Sequence, residues 1–424
     1  MINRVFVTYD PVRHKSRMMI FVVLLLLAFG CSNSVSYDLE VEGLHYLDNT
    51  PVRISIQDGK IAAIKSLQKL SDGSEQLIVA PGLIDNQVNG YVGYSFVDTG
   101  RELTAEGITE LTTAFWKAGN TTFMPTLTTN EHSIFLKNLS LLNEAMKDPR
   151  IRGSIAGIHM EGPYISPVDG YRGAHPLIHV RPPDWDEFME LYETSGKNIL
   201  QVTLAPEPEG AMDFISKCKE LGIIVGLGHH NGTSDQISEA VDRGAVISTH
   251  LGNGMANMIH RWHNPLWPQL ANDKLNAGLI CDGFHLTPDQ IRAFYKTKGA
   301  DRIIVTSDMS SIGGLTPGYY LNSIGDTLEL KAEGVVVYPA QNVLSGSASP
   351  QSRMIGHIMK VTGCDLGSAI KMTSTNPARL YGLTDRGELK TGLRADLILF
   401  SMEDGQVKIR KTLVEGEMVY ESPK

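Results

Sequence analysis

The chain has 424 residues, enough for one large domain and a smaller one. Its 42% hydrophobic and 20% charged residues exclude a disordered protein, and its net charge of −9 argues against a nucleic-acid partner. The four cysteines form no Cys-x-x-Cys pair, so neither a disulfide framework nor a thiolate zinc site is indicated.

The N-terminus has the pattern of an export signal. Basic residues between Arg13 and Arg17 precede an apolar run from Met19 to Phe29, and the run ends in a lipobox-like Leu27-Ala28-Phe29-Gly30-Cys31. This run is too short to span a membrane. We therefore predict a signal peptide over 1–30 and lipidation of Cys31, which would make the protein a periplasmic or outer-membrane lipoprotein of a bacterium. The alternatives are a buried segment of the fold and, if the signal does not work, a cytoplasmic protein.

Two β-rich segments flank the rest of the chain. Residues 37–67 alternate apolar and polar side chains around a turn at Asp58-Gly59-Lys60, and a similar pattern returns after Ala395. We expect residues 31–80 and 384–424 to pair into one small β domain. The segment 81–383 would then be an insert with its own core.

The middle segment alternates short apolar runs with helical patterns, as expected for a parallel sheet. Strands are predicted at residues 83–85, 122–125, 155–158, 200–204, 223–226, 245–248, 277–280 and 303–306. Helices are predicted at residues 104–118, 132–146, 184–194, 211–221, 234–243 and 287–295. About eight such units match a TIM barrel. A doubly wound open sheet is the alternative, and polar residues after nearly every strand favour the barrel.

Chemically active side chains follow several of these strands. His229 and His250 follow the fifth and sixth, and Glu161 follows the third. A carboxylate and two imidazoles can bind a catalytic metal and leave room for water, which such a metal activates near neutral pH. Asp308, after the eighth strand, would be free to act as general base and acid. Each residue alone has an ordinary structural explanation, such as a helix cap, a turn former or a core histidine.

The order of these motifs is typical of a known family. The marks are Pro81-Gly82-Leu83-Ile84-Asp85, the run from His159 to Pro163, the segment Thr249 to Met255, Asp282-Gly283-Phe284-His285 and Thr306-Ser307-Asp308. From about Val41 to Tyr420 the chain resembles the N-acetylglucosamine-6-phosphate deacetylases of the amidohydrolase superfamily. The resemblance implies a (β/α)8 TIM barrel of the metal-dependent amidohydrolase type, with a small β-sandwich domain formed by the N- and C-terminal segments.

The resemblance also implies residue roles. Glu161, His229 and His250 would bind one divalent metal, zinc or iron, while Asp308 would transfer protons and His285 would polarise the acetamide of an amino-sugar substrate. The residues implied to line the sugar-phosphate pocket are Ala174, Asn253, Gly254, Arg261, His285, Leu344, Ser345 and Gly346. A homodimer is implied as well.

Two departures from the family pattern bear on these expectations. Gln87 and Asn89 stand where many superfamily members have a His-x-His pair for a second metal, so we expect a single ion. Arg261, the implied phosphate contact, is followed by Trp262-His263-Asn264-Pro265 instead of the usual Glu-Pro-Gly. The predicted function is deacetylation of N-acetylglucosamine-6-phosphate. The alternatives are an exported amidohydrolase for an unphosphorylated N-acetyl sugar or other N-acyl or cyclic amide, and a lipid-anchored sugar-binding protein.

Overall fold

A computed structural model describes residues 36–97, 101–321 and 326–423. The compact unit that contains the fold runs over Leu39–Lys424. The predicted signal peptide and the predicted lipidation at Cys31 lie outside the described residues. Within the described ranges, no helix is both long enough and apolar enough to cross a membrane.

The strands, in chain order, are β1 Leu39–His45, β2 Pro51–Gln57, β3 Lys60–Ser66, β4 Ile78–Pro81, β5 Leu83–Val88, β6 Gly90–Tyr91, β7 Tyr94–Ser95, β8 Asn120–Thr128, β9 Ile158–Glu161, β10 Ile199–Leu204, β11 Ile224–Leu227, β12 Ala245–Ser248, β13 Asn276–Leu279, β14 Ile303–Val305, β15 Gly318–Leu321, β16 Thr327–Leu330, β17 Val336–Tyr338, β18 Val343–Leu344, β19 Leu397–Glu403, β20 Gln406–Val414 and β21 Glu417–Glu421. The α-helices are α1 Ala105–Ala118, α2 His132–Ala145, α3 Trp185–Thr194, α4 Ala211–Glu220, α5 Ser234–Arg243, α6 Leu266–Ala271, α7 Pro288–Lys298, α8 Gln351–Thr362, α9 Leu366–Ile370 and α10 Asn376–Leu380. Short 3₁₀ turns lie at Pro149–Ile151, Leu177–His179 and Ala300–Arg302, and a π-helical turn at Lys371–Thr375 joins α9 to α10.

Eight strands form the predicted barrel. Their order is β5, β8, β9, β10, β11, β12, β13 and β14, and every neighbouring pair is parallel. All six residues of β5 are buried, because helices cover the outer face of such a sheet and side-chain layers fill its interior. The predicted TIM barrel is therefore confirmed over the open sheet.

Side chains join the first and last strands of the barrel, where the backbone ladder stops. Asp85 Oδ1 accepts hydrogen bonds of 3.1 Å from both the Thr306 hydroxyl and the Ser307 amide. The Gln351 side chain donates through Nε2 to the carbonyls of Ile84, at 3.0 Å, and Val305, at 2.6 Å. One residue of α8 therefore closes the seam between β5 and β14 by bonding to both strands.

Three of the predicted barrel strands were wrong at their ends, and the second barrel strand, predicted to stop at Pro125, continues to Thr128. The third barrel strand was predicted to stop at Ile158 but begins there and runs to Glu161, so His159 and Glu161 belong to the strand. The first was predicted to stop at Asp85 but continues to Val88. Polar residues do not end a barrel strand when the interior supplies partners for them. His159 shows this, because its Nε2 lies 2.7 Å from the Thr203 hydroxyl on β10.

The two ends of the chain combine in one seven-stranded sheet, in the order β21, β20, β19, β4, β1, β2, β3. The sheet folds back on itself, since Ile61 N donates to Leu393 O at 2.8 Å and Ala395 N donates to Gly59 O at 2.9 Å. A shared apolar core includes Ile54, Ile61, Leu397 and Leu413. This confirms the β-sandwich from both termini. The bounds 31–80, 81–383 and 384–424 stay a prediction, and β4 lies across the first of them.

A four-stranded antiparallel sheet, β15 to β18, follows the last barrel strand and has its own small apolar core. It was not predicted from the sequence, and neither were α6 and the helices from α8 onward. Residues of β16 and β18 reach the rim of the barrel, where the candidate site lies.

Candidate metal centre and active-site cavity

Three of the predicted site residues sit just past the carboxyl ends of barrel strands. His229 follows β11, His250 follows β12 and Asp308 follows β14, and all three adopt left-handed backbone conformations with φ of 52°, 32° and 49°. Such conformations cost about 1–3 kcal/mol each for residues other than glycine and recur at functional sites. In this barrel they turn the chain sharply at the rim on which active sites are built.

A buried carboxylate lies at the centre of the cluster. Glu161 Oε1 is 2.8 Å from His250 Nε2 and 3.3 Å from His229 Nε2. His175 joins them, because its Nε2 lies 3.3 Å from the Nε2 of His229. Ligand atoms of Glu161, His175 and His229 all lie within 4.8 Å of one another. These three residues and His250 are all buried. The structure therefore brings the predicted metal-binding trio together and adds a third imidazole that the sequence did not predict.

The cluster combines a charged carboxylate with imidazoles held in different states. Burial opposes the charge on Glu161, but hydrogen bonds from His229 and His250 outweigh it, and the pKa of the Glu161 carboxyl lies well below its ordinary value. Burial likewise opposes protonation of His250, yet its bond to Glu161 raises the pKa of this imidazole. Burial and the neighbouring His229 lower the pKa of His175 to about 3, so His175 is neutral at physiological pH.

These donors fit a divalent metal. His229 Nδ1 lies 3.0 Å from the carbonyl oxygen of Tyr171, which can only accept, so Nδ1 keeps its proton and Nε2 is the nitrogen that would exchange its hydrogen bond to Glu161 for a metal. This Nε2 lies close to the Nε2 of His175 and to an oxygen of Glu161. A carboxylate with converging imidazole nitrogens is a donor set that zinc and iron both accept. The residues present therefore suit such an ion.

Asp308 lies beside this cluster and is held by two amides. Its Oδ1 accepts hydrogen bonds from Asn89 Nδ2 at 2.7 Å and from Gln87 Nε2 at 3.1 Å. Burial and the nearby charge of Glu161 raise the pKa of the Asp308 carboxyl, while the hydrogen bond from Asn89 lowers it. Gln87 and Asn89, the residues predicted to replace the ligands of a second metal, therefore bind the carboxylate of Asp308.

His285 is oriented by a second carboxylate. Its Nδ1 lies 2.8 Å from Asp282 Oδ2, while Asp282 Oδ1 accepts the backbone amides of Phe284 and His285 at 2.8 and 3.0 Å. Burial would raise the pKa of Asp282, but its bonds with His285 are stronger and lower it. An ionised Asp282 holds the proton of His285 on Nδ1, which leaves Nε2 as the ring nitrogen available for other contacts.

The carboxylates of Glu161 and Asp308 and the four imidazoles open into one cavity of about 510 Å³. Its polar and charged lining includes Glu161, His175, His229, His250, His285, Asp308 and Asn89. Of the predicted substrate-binding residues, the lining also includes Ala174, Asn253, Gly254, Leu344, Ser345 and Gly346. This size and this mixture of convergent polar groups suit a small polar molecule.

One predicted substrate contact lies elsewhere. Arg261 is exposed and is absent from the cavity lining of the described chain, and its guanidinium lies over the Trp262 ring, 4.4 Å from the ring centroid. The aromatic residue that departs from the family pattern is therefore the one that holds the arginine. The role of Arg261 in binding a phosphate stays a prediction.

Two functional candidates were missed by sequence reasoning. His175 follows the predicted pocket residue Ala174 directly, and this adjacency was the available signal. Asp282 was noted only as the first residue of the Asp282 to His285 motif, although a carboxylate three residues before a histidine can fold back onto its ring. His159, from the same motif as Glu161, lies inside the barrel instead of in the cavity.

Comparison with known proteins agrees with this geometry. Residues 78–419 match the model of the Amidohydrolase family. The N-acetylglucosamine-6-phosphate deacetylase of Bos taurus is 33% identical over 395 residues, which cover 91% of this chain and 91% of that protein. The crystal structure of the Thermotoga maritima N-acetylglucosamine-6-phosphate deacetylase has a TM-score of 0.79 at 28% identity and covers 91% of this chain and 100% of that one. A variant of the Mycobacterium smegmatis deacetylase, solved with N-acetyl-D-glucosamine-6-phosphate, matches at a TM-score of 0.80 and 24% identity over 91% of this chain and 100% of that one, a likeness of fold.

Proposed function

Because this chain belongs to the amidohydrolase family and, within it, to the N-acetylglucosamine-6-phosphate deacetylases, we propose that it hydrolyses the acetamide of N-acetylglucosamine-6-phosphate to glucosamine-6-phosphate and acetate. It is then a hydrolase of carbon–nitrogen bonds other than peptide bonds. The single observation that carries the proposal is the convergence of Glu161, three imidazoles and Asp308 on one cavity.

The metal site is proposed to hold one divalent ion. Glu161, His229 and His250 would bind it, and His175 lies close enough to take part. When bound, such an ion polarises a carbonyl and makes water more acidic. We propose a single ion because Gln87 and Asn89 direct amide nitrogens, which are donors and not metal ligands, toward Asp308.

Asp308 is proposed to move the proton. As a carboxylate it takes a proton from the water that attacks the acetamide carbon, and it then gives this proton to the nitrogen as the carbon–nitrogen bond breaks. The amine leaves as a neutral group, and the oxygen of water stays on acetate. The raised pKa of Asp308 suits this double role, because a carboxyl that is too acidic would not return the proton.

His285 is proposed to contact the substrate carbonyl. Asp282 holds its Nδ1, so Nε2 is the atom that can reach a ligand in the cavity. In its imidazolium form His285 carries a proton on each ring nitrogen, so Nε2 can donate to the negative charge that develops on the carbonyl oxygen during attack. The sugar would bind against Asn253, Gly254 and the turn at Leu344 to Gly346, which line the same cavity.

The cellular setting is part of the proposal. If the signal over 1–30 works and Cys31 carries lipid, the enzyme acts outside the cytoplasm from a membrane anchor, and a homodimer is proposed by the family resemblance. Loss of the protein from the membrane fraction in a Cys31→Ser variant tests the anchor. Recovery of this variant with the membranes would contradict it.

Acetate release tests the proposed reaction. The metal-loaded protein is compared on N-acetylglucosamine-6-phosphate and on unphosphorylated N-acetylglucosamine, with Asp308→Asn as the matched inactive variant. We expect preference for the phosphorylated sugar and loss of turnover in Asp308→Asn with metal content retained. Release of no acetate from either sugar, or full activity of Asp308→Asn, would contradict the proposal.

A further inference from the structure

We propose that Gln87 and Asn89 form an amide clamp that fixes which oxygen of Asp308 transfers the proton. Both amides donate to the same atom, Asp308 Oδ1. The clamp is made of these two residues and rests on the proton-transfer role proposed for Asp308.

The orientation of the two amides is set by chemistry. An ionised carboxylate can only accept hydrogen bonds, so each amide must present its NH₂ group to Asp308 and turn its oxygen away. For Asn89 this leaves Oδ1 buried and without a hydrogen-bond partner among the described residues. An orphaned acceptor next to a cavity costs free energy unless a ligand or water satisfies it. The cost indicates that the bond to Asp308 determines how Asn89 is oriented.

Two donors on one oxygen give the two oxygens of the Asp308 carboxylate different roles. Negative charge is stabilised at Oδ1, and a proton arriving at Asp308 then binds to Oδ2 in preference. Among the described residues, both side-chain hydrogen bonds to the Asp308 carboxylate end on Oδ1, so Oδ2 is the atom left to exchange a proton with water and the leaving amine. Amides neither gain nor lose protons at physiological pH, so they hold the carboxylate without competing for the proton it carries.

The backbone supports this arrangement from the same two segments. Asn89 N and Gly90 N both donate to Met309 O, at 2.9 and 3.1 Å, and Ser347 N donates to Asp308 O at 2.8 Å. Asp308 itself has a φ of 49°, a strained conformation for a residue with a side chain. The end of β5 therefore fixes both the main chain and the carboxylate of the residue that follows β14.

A purely structural explanation competes with this one, because the clamp also lies at the seam of the barrel. The two explanations differ in what they predict. A seam contact contributes to folding stability, whereas a positioning contact changes the rate of the chemical step. Substitution of Gln87 distinguishes the two explanations well, since Gln87 contacts Asp308, is buried and is not part of the cavity lining.

The test compares full-length, metal-loaded Gln87→Met and Asn89→Leu with the wild type on N-acetylglucosamine-6-phosphate. Because one hydrogen bond to a charged group is lost in each variant, we expect kcat to fall roughly tenfold or more. Metal content should stay at the wild-type level, and KM should stay within about twofold for Gln87→Met. If Gln87→Met does not fold, Asn89→Leu alone carries the comparison of kcat with the wild type.

The control is Asn376→Leu, which removes a buried amide on α10 that donates to Ala300 O and Ile303 O, both at 2.7 Å; none of these three residues lines the cavity. It should lower the unfolding temperature and leave kcat unchanged. Wild-type kcat in either clamp variant, or loss of metal from either, would overturn the proposal. Asp308→Asn, assayed in parallel, separates failure of the clamp from failure of the proton-transfer role of Asp308. If Asp308→Asn is inactive while Gln87→Met keeps full kcat, only the clamp is wrong. If Asp308→Asn is active, the proposed role of Asp308 is wrong.

Discussion

Gln351 is predicted to be the side chain on which closure of the barrel depends most. It is fully buried, its Nε2 donates to Ile84 O and Val305 O, and its Oε1 accepts from Asn120 Nδ2 at 2.6 Å. Replacement by methionine keeps the length of the side chain and removes all three hydrogen bonds. Because little volume changes, the effect should come from the polar groups left behind and not from a cavity.

The expected loss follows from those groups. Two carbonyls and one amide become buried without partners, and each such group costs about 1–3 kcal/mol. Allowing for partial relaxation, we expect Gln351→Met to lower the free energy of unfolding by roughly 3–6 kcal/mol, a large share of the ~5–15 kcal/mol typical of native proteins. Both strands at the seam lose a contact, so the loss should also accelerate unfolding.

Urea unfolding of the full chain, followed by tryptophan fluorescence, measures this loss. Gln76→Met is the matched control, because Gln76 is exposed and its replacement should change the midpoint little. A second comparison, Asn120→Leu alone and combined with Gln351→Met, should show a less than additive effect, since the two side chains share a bond. A loss below about 1 kcal/mol in Gln351→Met would refute the role of Gln351 in closing the seam.

Three further predictions concern single side chains. Burial raises the pKa of Asp85 to about 6 from 3.8, so its contribution to the free energy of unfolding is greatest below pH 4 and falls by about 3 kcal/mol as pH rises through 6. Thermal melts of Asp85→Asn across this pH range should lack the decline, and parallel profiles of stability against pH for the variant and the wild type would contradict it. Asp282→Asn weakens the hold on His285 Nδ1 and should lower kcat roughly tenfold with metal content unchanged, as measured by turnover and elemental analysis, whereas an unchanged kcat would exclude the orienting role. His175→Ala should release metal to a chelator faster than the wild type, and equal release rates would remove His175 from the candidate ligands.

Local signals explain what the sequence predicted well. The bounds of α5, Ser234–Arg243, agree with the prediction because Thr233 and Gln236 form a capping box at one end and Gly244 ends the helix at the other. The positions of His229 and His250, directly after β11 and β12, were also predicted well. Parallel strands of a barrel end on the same face, so residues that follow them meet without any knowledge of the loops.

Contacts between distant segments explain what the sequence did not predict. The seam depends on Gln351, which lies 267 residues beyond Ile84 and has no local signature. The polar strand β9 was placed too early because its partner for His159, Thr203, lies on another strand. His175 belongs to a loop whose path only tertiary packing determines. The stacking of Arg261 on Trp262 was not predicted either, because it depends on the conformation of the folded loop.

The most direct test of the proposed hydrolysis follows the oxygen atom of water. The metal-loaded protein is incubated with N-acetylglucosamine-6-phosphate in water enriched in oxygen-18, and acetate and phosphate are analysed by mass spectrometry. We predict one oxygen-18 atom in each acetate released, equimolar glucosamine-6-phosphate, and no label in phosphate. Labelled phosphate, or amino sugar formed without labelled acetate, would contradict attack of water on the acetamide carbon.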